Sequence, residues 1–208
     1  METPLALIPI LAVLVVGIIS PGPSFILVAR TAVAVSRPAA IASAFGMAAG
    51  ASLLATVALL GLNTAFRQIP GAYVALKIIG GTYLLYLAYQ TWRGAGRPVV
   101  DERQAVAPRG GLVRHFGLAL GTMVSNPKAA VQYGVIFAAM LPRSPSTAIT
   151  VALPIAVFAL EASWYILVAL ALSAPATRSV YLRAKLAVDR VAGAVLAALG
   201  IKLLLSTR

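Results

Sequence analysis

The stretch "SPGPS", residues 20–24, closes an apolar run that starts near Leu5, and "VSNPK", residues 124–128, interrupts a second one. Pro21 and Pro23 carry no N–H, so a helix through them leaves the carbonyls of Gly17 and Ile19 without donors; Pro127 does the same to the carbonyl of Met123. Beyond each break a new helix must start, and its first N–H groups lack intrahelical acceptors. Such an end attracts anions, and a free carbonyl end attracts cations. Two breaks facing each other could therefore hold both ends of a zwitterion, of which an α-amino acid is the obvious case. The candidate binding residues are Pro21, Gly22, Pro23, Ser24, Asn126, Pro127, Lys128 and Gln132.

Ionisable groups sit close to these breaks in otherwise apolar sequence. Lys128 follows the second break, and a lysine at mid-membrane costs about 2.5–3.5 kcal/mol on insertion scales. Ser125 and Gln132 stand three and four residues from it, which on a continuous helix makes one polar face. Glu161 lies in "FALEASWYIL" and is the candidate for carrying a coupled proton, since intramembrane carboxylates are seldom idle. Lys128 and Glu161 can pair with each other or with the two ends of a substrate. Trp164 and Tyr165, one turn on, are candidates for the cavity wall or for simple packing. Gly46 and Gly50 form a small-residue face with Ala42, which reads as close helix packing.

The elements that must position these groups follow from composition. The 208 residues are 61% hydrophobic and 11% charged, with a mean hydropathy of +0.94. Too few charges remain to cover a water-facing surface, so the chain reads as an all-α integral membrane protein. Six apolar runs, about 5–30, 39–63, 71–92, 116–141, 147–173 and 187–205, are each long enough to span. The segment Met1 to Pro4 holds no Lys or Arg, so the first run is expected to be retained rather than cleaved. The net charge of +12 lies mostly in short loops and points to topology and lipid head groups, not nucleic acid. The basic group Arg30, Arg37, Arg93, Arg97, Arg103, Arg109, Arg114, Arg178, Arg183, Lys185 and Arg190 is assigned to cytoplasmic loops. Arg67, Lys77, Arg143, Lys202 and Arg208 fall on the other side, which puts both termini outside the cytoplasm.

The hydrophilic stretch 93–113 divides one transporter domain, residues 1–208, into repeats at about 1–92 and 114–208. Three spans per half means the halves enter the membrane from opposite sides, as an inverted repeat. A shift of 104 residues brings Gly17 onto Gly121 and Pro23 onto Pro127, so the first helix of each repeat is proline-broken at a matching depth. Paired breaks of this kind point to a transporter's binding site.

"ISPGPSFILVAR", "GMAAG", "LKIIGGTYLLYLAYQTWRG" and "FGLALGTMVSNPKAA", in that order along nearly the whole chain, resemble the LysE/RhtB amino-acid exporter family. The resemblance implies a six-span bacterial inner-membrane exporter of small amino acids or related metabolites, driven by the proton gradient. Its motif residues correspond to Pro21, Gly22, Pro23, Asn126, Pro127 and Lys128. Ser24 stands where many members have an acidic residue or Asn, which tilts the expectation toward neutral amino acids. The first cytoplasmic loop also departs, reading Ser36-Arg37-Pro38-Ala39-Ala40 where a Gly-Arg-x-x-Gly stretch is usual.

Other function classes fare worse. With no cysteine there is no disulfide, thiolate metal site or thiol nucleophile. The single histidine, His115, stands at a loop edge, and Asp101 and Asp189 are expected in or beside loops. An intramembrane protease would need a Ser/His pair, paired aspartates or a histidine metal site, so no enzyme, metal or cofactor is expected. A channel or lipid scramblase built on the same broken helices is the alternative to a carrier. The expected partners are an amino-acid-like substrate, protons and membrane lipids, with a homodimer as an option.

Overall fold

The computed structural model describes residues 3–19, 22–68, 71–95, 110–142 and 145–205. Among these residues the chain forms eight helices and no strand. They are α1 (Thr3–Ile19), α2 (Pro23–Ala34), α3 (Arg37–Gln68), α4 (Ala72–Gly94), α5 (Leu112–Val124), α6 (Pro127–Met140), α7 (Thr147–Leu172) and α8 (Pro175–Leu205).

Local chemistry sets several of the ends. Gly22, in extended conformation, precedes α2, and Pro23 opens it, where a missing N–H costs nothing. Asn126 and Pro127 do the same for α6, with the Asn side chain as cap. Ser146 caps α7 by accepting from Ile149 N at 3.3 Å. Gly71 has φ +85, a left-handed conformation that glycine adopts without a Cβ clash, and α4 starts from it.

α3 is the central strut, packed on α5 and α7, while α4 packs along α8. Glycine sets how closely these pairs approach. A Cβ on Gly46 would strike the Phe116 carbonyl, and one on Gly50 would meet Met123 and the Leu120 carbonyl at 2.8 and 3.0 Å. The Gly46/Gly50 face of α3 is thus the seat of α5, as the small-residue spacing predicts. On the other side, Gly81 of α4 and Gly200 of α8 face each other backbone to backbone. Ser52 Oγ donates to the Pro154 carbonyl at 3.0 Å and ties α3 to α7. One apolar core is built from α1, α2, α3, α5, α6 and α7; a smaller one joins α4 and α8 to α6.

Two helices among the described residues are by themselves long and apolar enough to cross a membrane, Arg37–Leu62 and Thr147–Leu172. The pair Leu7–Ile19 and Pro23–Ala34, bent by 61°, adds a third if it is one span. The six-span count therefore stays an expectation of the apolar runs. One boundary is corrected: α8 starts at Pro175, not near 187, so Arg183, Lys185, Asp189 and Arg190 belong to a helix and not to a loop. An i,i+4 pair between Lys185 and Asp189, 2.5 Å apart, lets this polar stretch continue the helix.

Candidate functional site

The starts of α2 and α6 meet in the interior. Asn126 Oδ1 accepts from Lys128 N at 3.0 Å, capping α6, while Asn126 Nδ2 donates to Ser24 Oγ at 2.9 Å in the first turn of α2. Ser24 in turn donates to Met123 Sδ at 3.8 Å. One buried side chain thus satisfies the end of its own helix and fastens that end to the other half of the chain. Two helix N-termini, each with positive partial charge, converge on the same spot.

A cavity of about 30 Å³ lies at this junction. Gly22, Ser24, Asn126, Lys128 and Gln132 line it from the two helix starts, and Glu161 from α7. Six of the expected residues, Gly22, Ser24, Asn126, Lys128, Gln132 and Glu161, therefore share one cavity, although they come from positions up to more than a hundred residues apart. Pro23 and Pro127 lie at its rim, exposed toward a larger space. Pro21 lies outside the described residues.

Glu161 is 3% exposed. Its Oε1 accepts from Tyr133 OH at 2.6 Å, and its Oε2 is buried with no hydrogen-bond partner among the described residues. A carboxylate oxygen left so is costly and is commonly a place where a ligand or proton acts. Lys128 lines the same cavity within electrostatic reach of Glu161. Gly17 gives the Gln132 amide its room, because a Cβ there would collide with it.

Several expectations need correction. Ser125 does not share a face with Lys128; it caps the end of α5 and is exposed, because α6 starts only at Pro127. The Met123 carbonyl, which Pro127 deprives of its helical donor, accepts from Asn126 N at 3.0 Å and is not free. A Cβ on Gly121, matched to Gly17 by the repeat, would meet nothing within 4 Å outside its own helix, so the two glycines have different roles. His115 is not at a loop edge but 2% exposed within α5.

Two tyrosines also line the cavity: Tyr133, which the sequence does not mark, and Tyr165, a candidate for the cavity wall. Tyr133 follows Gln132 and donates to Glu161; nothing in its own spacing marks it. Tyr165 lines the cavity four residues after Glu161, a helical spacing that was legible. Trp164 is half-buried and packs against the main core instead. Among the described residues no three His, Cys, Asp or Glu side chains gather as a metal site would require.

Beside the small cavity opens a vestibule of about 460 Å³. It shares Gly22, Asn126 and Lys128 with the cavity and is further lined by Pro23 and Ile26 of α2, Pro127 of α6, the second half of α4 and Lys185 of α8.

Residues 15–207 match the family described as LysE type translocator. The threonine efflux protein of Escherichia coli K12 is 31% identical over 195 residues, covering 92% of this chain and 94% of the relative. The threonine efflux protein of Salmonella typhi is 33% identical over 196 residues, with the same coverage. The homoserine/homoserine lactone efflux protein of Salmonella typhimurium is 30% identical over 131 residues, 62% of each chain. No solved structure matches the chain.

Proposed function

We propose, for a chain that belongs to the LysE type translocator family, that it exports a small neutral amino acid across the bacterial inner membrane in exchange for protons. The observation that carries the reading is the junction of two helix N-termini, Lys128 and a buried, half-unpaired Glu161 around one cavity. The substrate carboxylate faces the helix starts and Lys128, and its ammonium group faces Glu161. Threonine and homoserine efflux by relatives supports an amino acid as cargo. Ser24, neutral and bonded to Asn126, adds no acidic group for a cationic side chain.

The six apolar runs form six spans in this reading, arranged as two inverted repeats whose first spans are α1 with α2 and α5 with α6. The crossed packing of α1 on α6 and of α2 on α5 is what such a repeat would give. The small cavity has space for about two waters. An amino acid is several times larger, so passage requires the two halves to rock apart, first on one side and then on the other. Proton uptake at Glu161 then alternates with substrate release.

Cells loaded with single amino acids as dipeptides test this directly. The expected result is saturable appearance of one amino-acid class in the medium, lost in Lys128→Ala at equal expression. Glu161→Gln is expected to keep downhill efflux and to lose acceleration by an imposed pH gradient. Wild-type cells that release no amino acid above cells lacking the protein would refute the export reading. A gradient response intact in Glu161→Gln would remove Glu161 from the proton route.

A further inference from the structure

We infer that the vestibule is a second, entry-side amino-acid site, in which Lys185 holds the substrate carboxylate before it reaches Lys128. The inference rests on the export reading. Size is the first argument. The junction cavity holds about 30 Å³ and the vestibule about 460 Å³, within the range of about 300–1,000 Å³ typical of small-molecule sites. Of these two spaces, only the vestibule has room for an amino acid in this conformation.

Chemistry is the second. Lys185 is 5% exposed and yet lines the vestibule. Its ammonium is fixed by Asp189 Oδ2, one turn along α8, and among the described residues two of its three donors stay available to a ligand. Asp189 is 1% exposed, its Oδ1 without a hydrogen-bond partner among the described residues, and a buried carboxylate retained beside a lysine holds that lysine in one place. Asp189 is thus a positioning residue, and the neutral pair does not repel an incoming zwitterion. Lys128 lines the inner end of the same space. Tyr83 and Tyr86 also line the vestibule, with ring centroids 6.1 Å apart, and suit the ammonium end of the substrate. A carboxylate passing from Lys185 to Lys128 stays beside a cation throughout its path inward.

Efflux kinetics from proteoliposomes with known internal amino acid test this, for wild type, Lys185→Gln, Lys185→Arg and Asp189→Asn. Lys185→Gln is expected to raise the KM on the loading side about tenfold, the loss of one charge-assisted hydrogen bond, with maximal rate kept within about twofold. Asp189→Asn should reproduce that KM change, and Lys185→Arg should restore most of the affinity. Equal yield and equal thermal midpoints control for folding. An unchanged KM in Lys185→Gln, or a fall in maximal rate at unchanged KM, would overturn the entry site while leaving export intact. Wild-type vesicles that move no amino acid would instead overturn the export reading itself.

Discussion

At the scale of single residues, the site is organised by two hydrogen-bonded pairs that cross the chain. Asn126 to Ser24 joins the two helix starts, and Tyr133 to Glu161 joins α6 to α7. Tyr133→Phe keeps the ring, which packs on Phe137 at 5.8 Å between centroids, but removes the donor that Glu161 Oε1 has among the described residues. Leaving a buried carboxylate oxygen unpaired costs about 1–3 kcal/mol, so export should slow by about tenfold or more at equal expression. Initial efflux rates check this; wild-type rates would reduce Tyr133 to a space-filler. The sequence marked Lys128, Gln132 and Glu161 because polar groups in apolar runs are conspicuous. It left Tyr133 unmarked because a tyrosine in such a run is equally at home as packing, and only its partner decides.

At the scale of elements, the placement of the site depends on close backbone approach. Asn126 and Met123 are held at the junction because α5 lies directly on α3, which Gly46 and Gly50 permit. Gly50→Leu drives a side chain into Met123 and the Leu120 carbonyl, and overpacking of this kind costs about 1–3 kcal/mol. The expected outcome is a lower thermal midpoint in detergent together with reduced export. Gly61→Leu, at a position where a Cβ would meet nothing within 4 Å, should leave both near wild type and serves as its control. The small-residue spacing on α3 was readable. The length of α8 was not, because its first turns are rich in charge and resemble a loop; the Lys185 to Asp189 pair that keeps them helical is visible only once both are on one face.

For the whole molecule, the expectation is that both halves cross the membrane three times in opposite senses, with the vestibule open to the cytoplasm. The absence of cysteine makes this measurable, since any introduced cysteine is the sole thiol. Val35→Cys, exposed between α2 and α3, should react with an impermeant maleimide only after the cytoplasmic face is opened. Thr147→Cys, at the start of α7, should react from outside in intact cells. The reverse pattern would invert the topology, and identical behaviour of the two would remove the odd number of spans between them. The sequence by itself determined the helical membrane class, the family, and the helix starts at Pro23 and Pro127, because apolarity, motif spacing and proline's missing N–H are properties of short stretches. Only the tertiary structure decided that the two starts touch through Asn126 and Ser24, that Tyr133 serves Glu161, and that Asp189 is buried beside a vestibule. Those contacts depend on how α5, α6, α7 and α8 are set against one another, which long-range packing fixes; the local pattern gives only the small-residue face of α3.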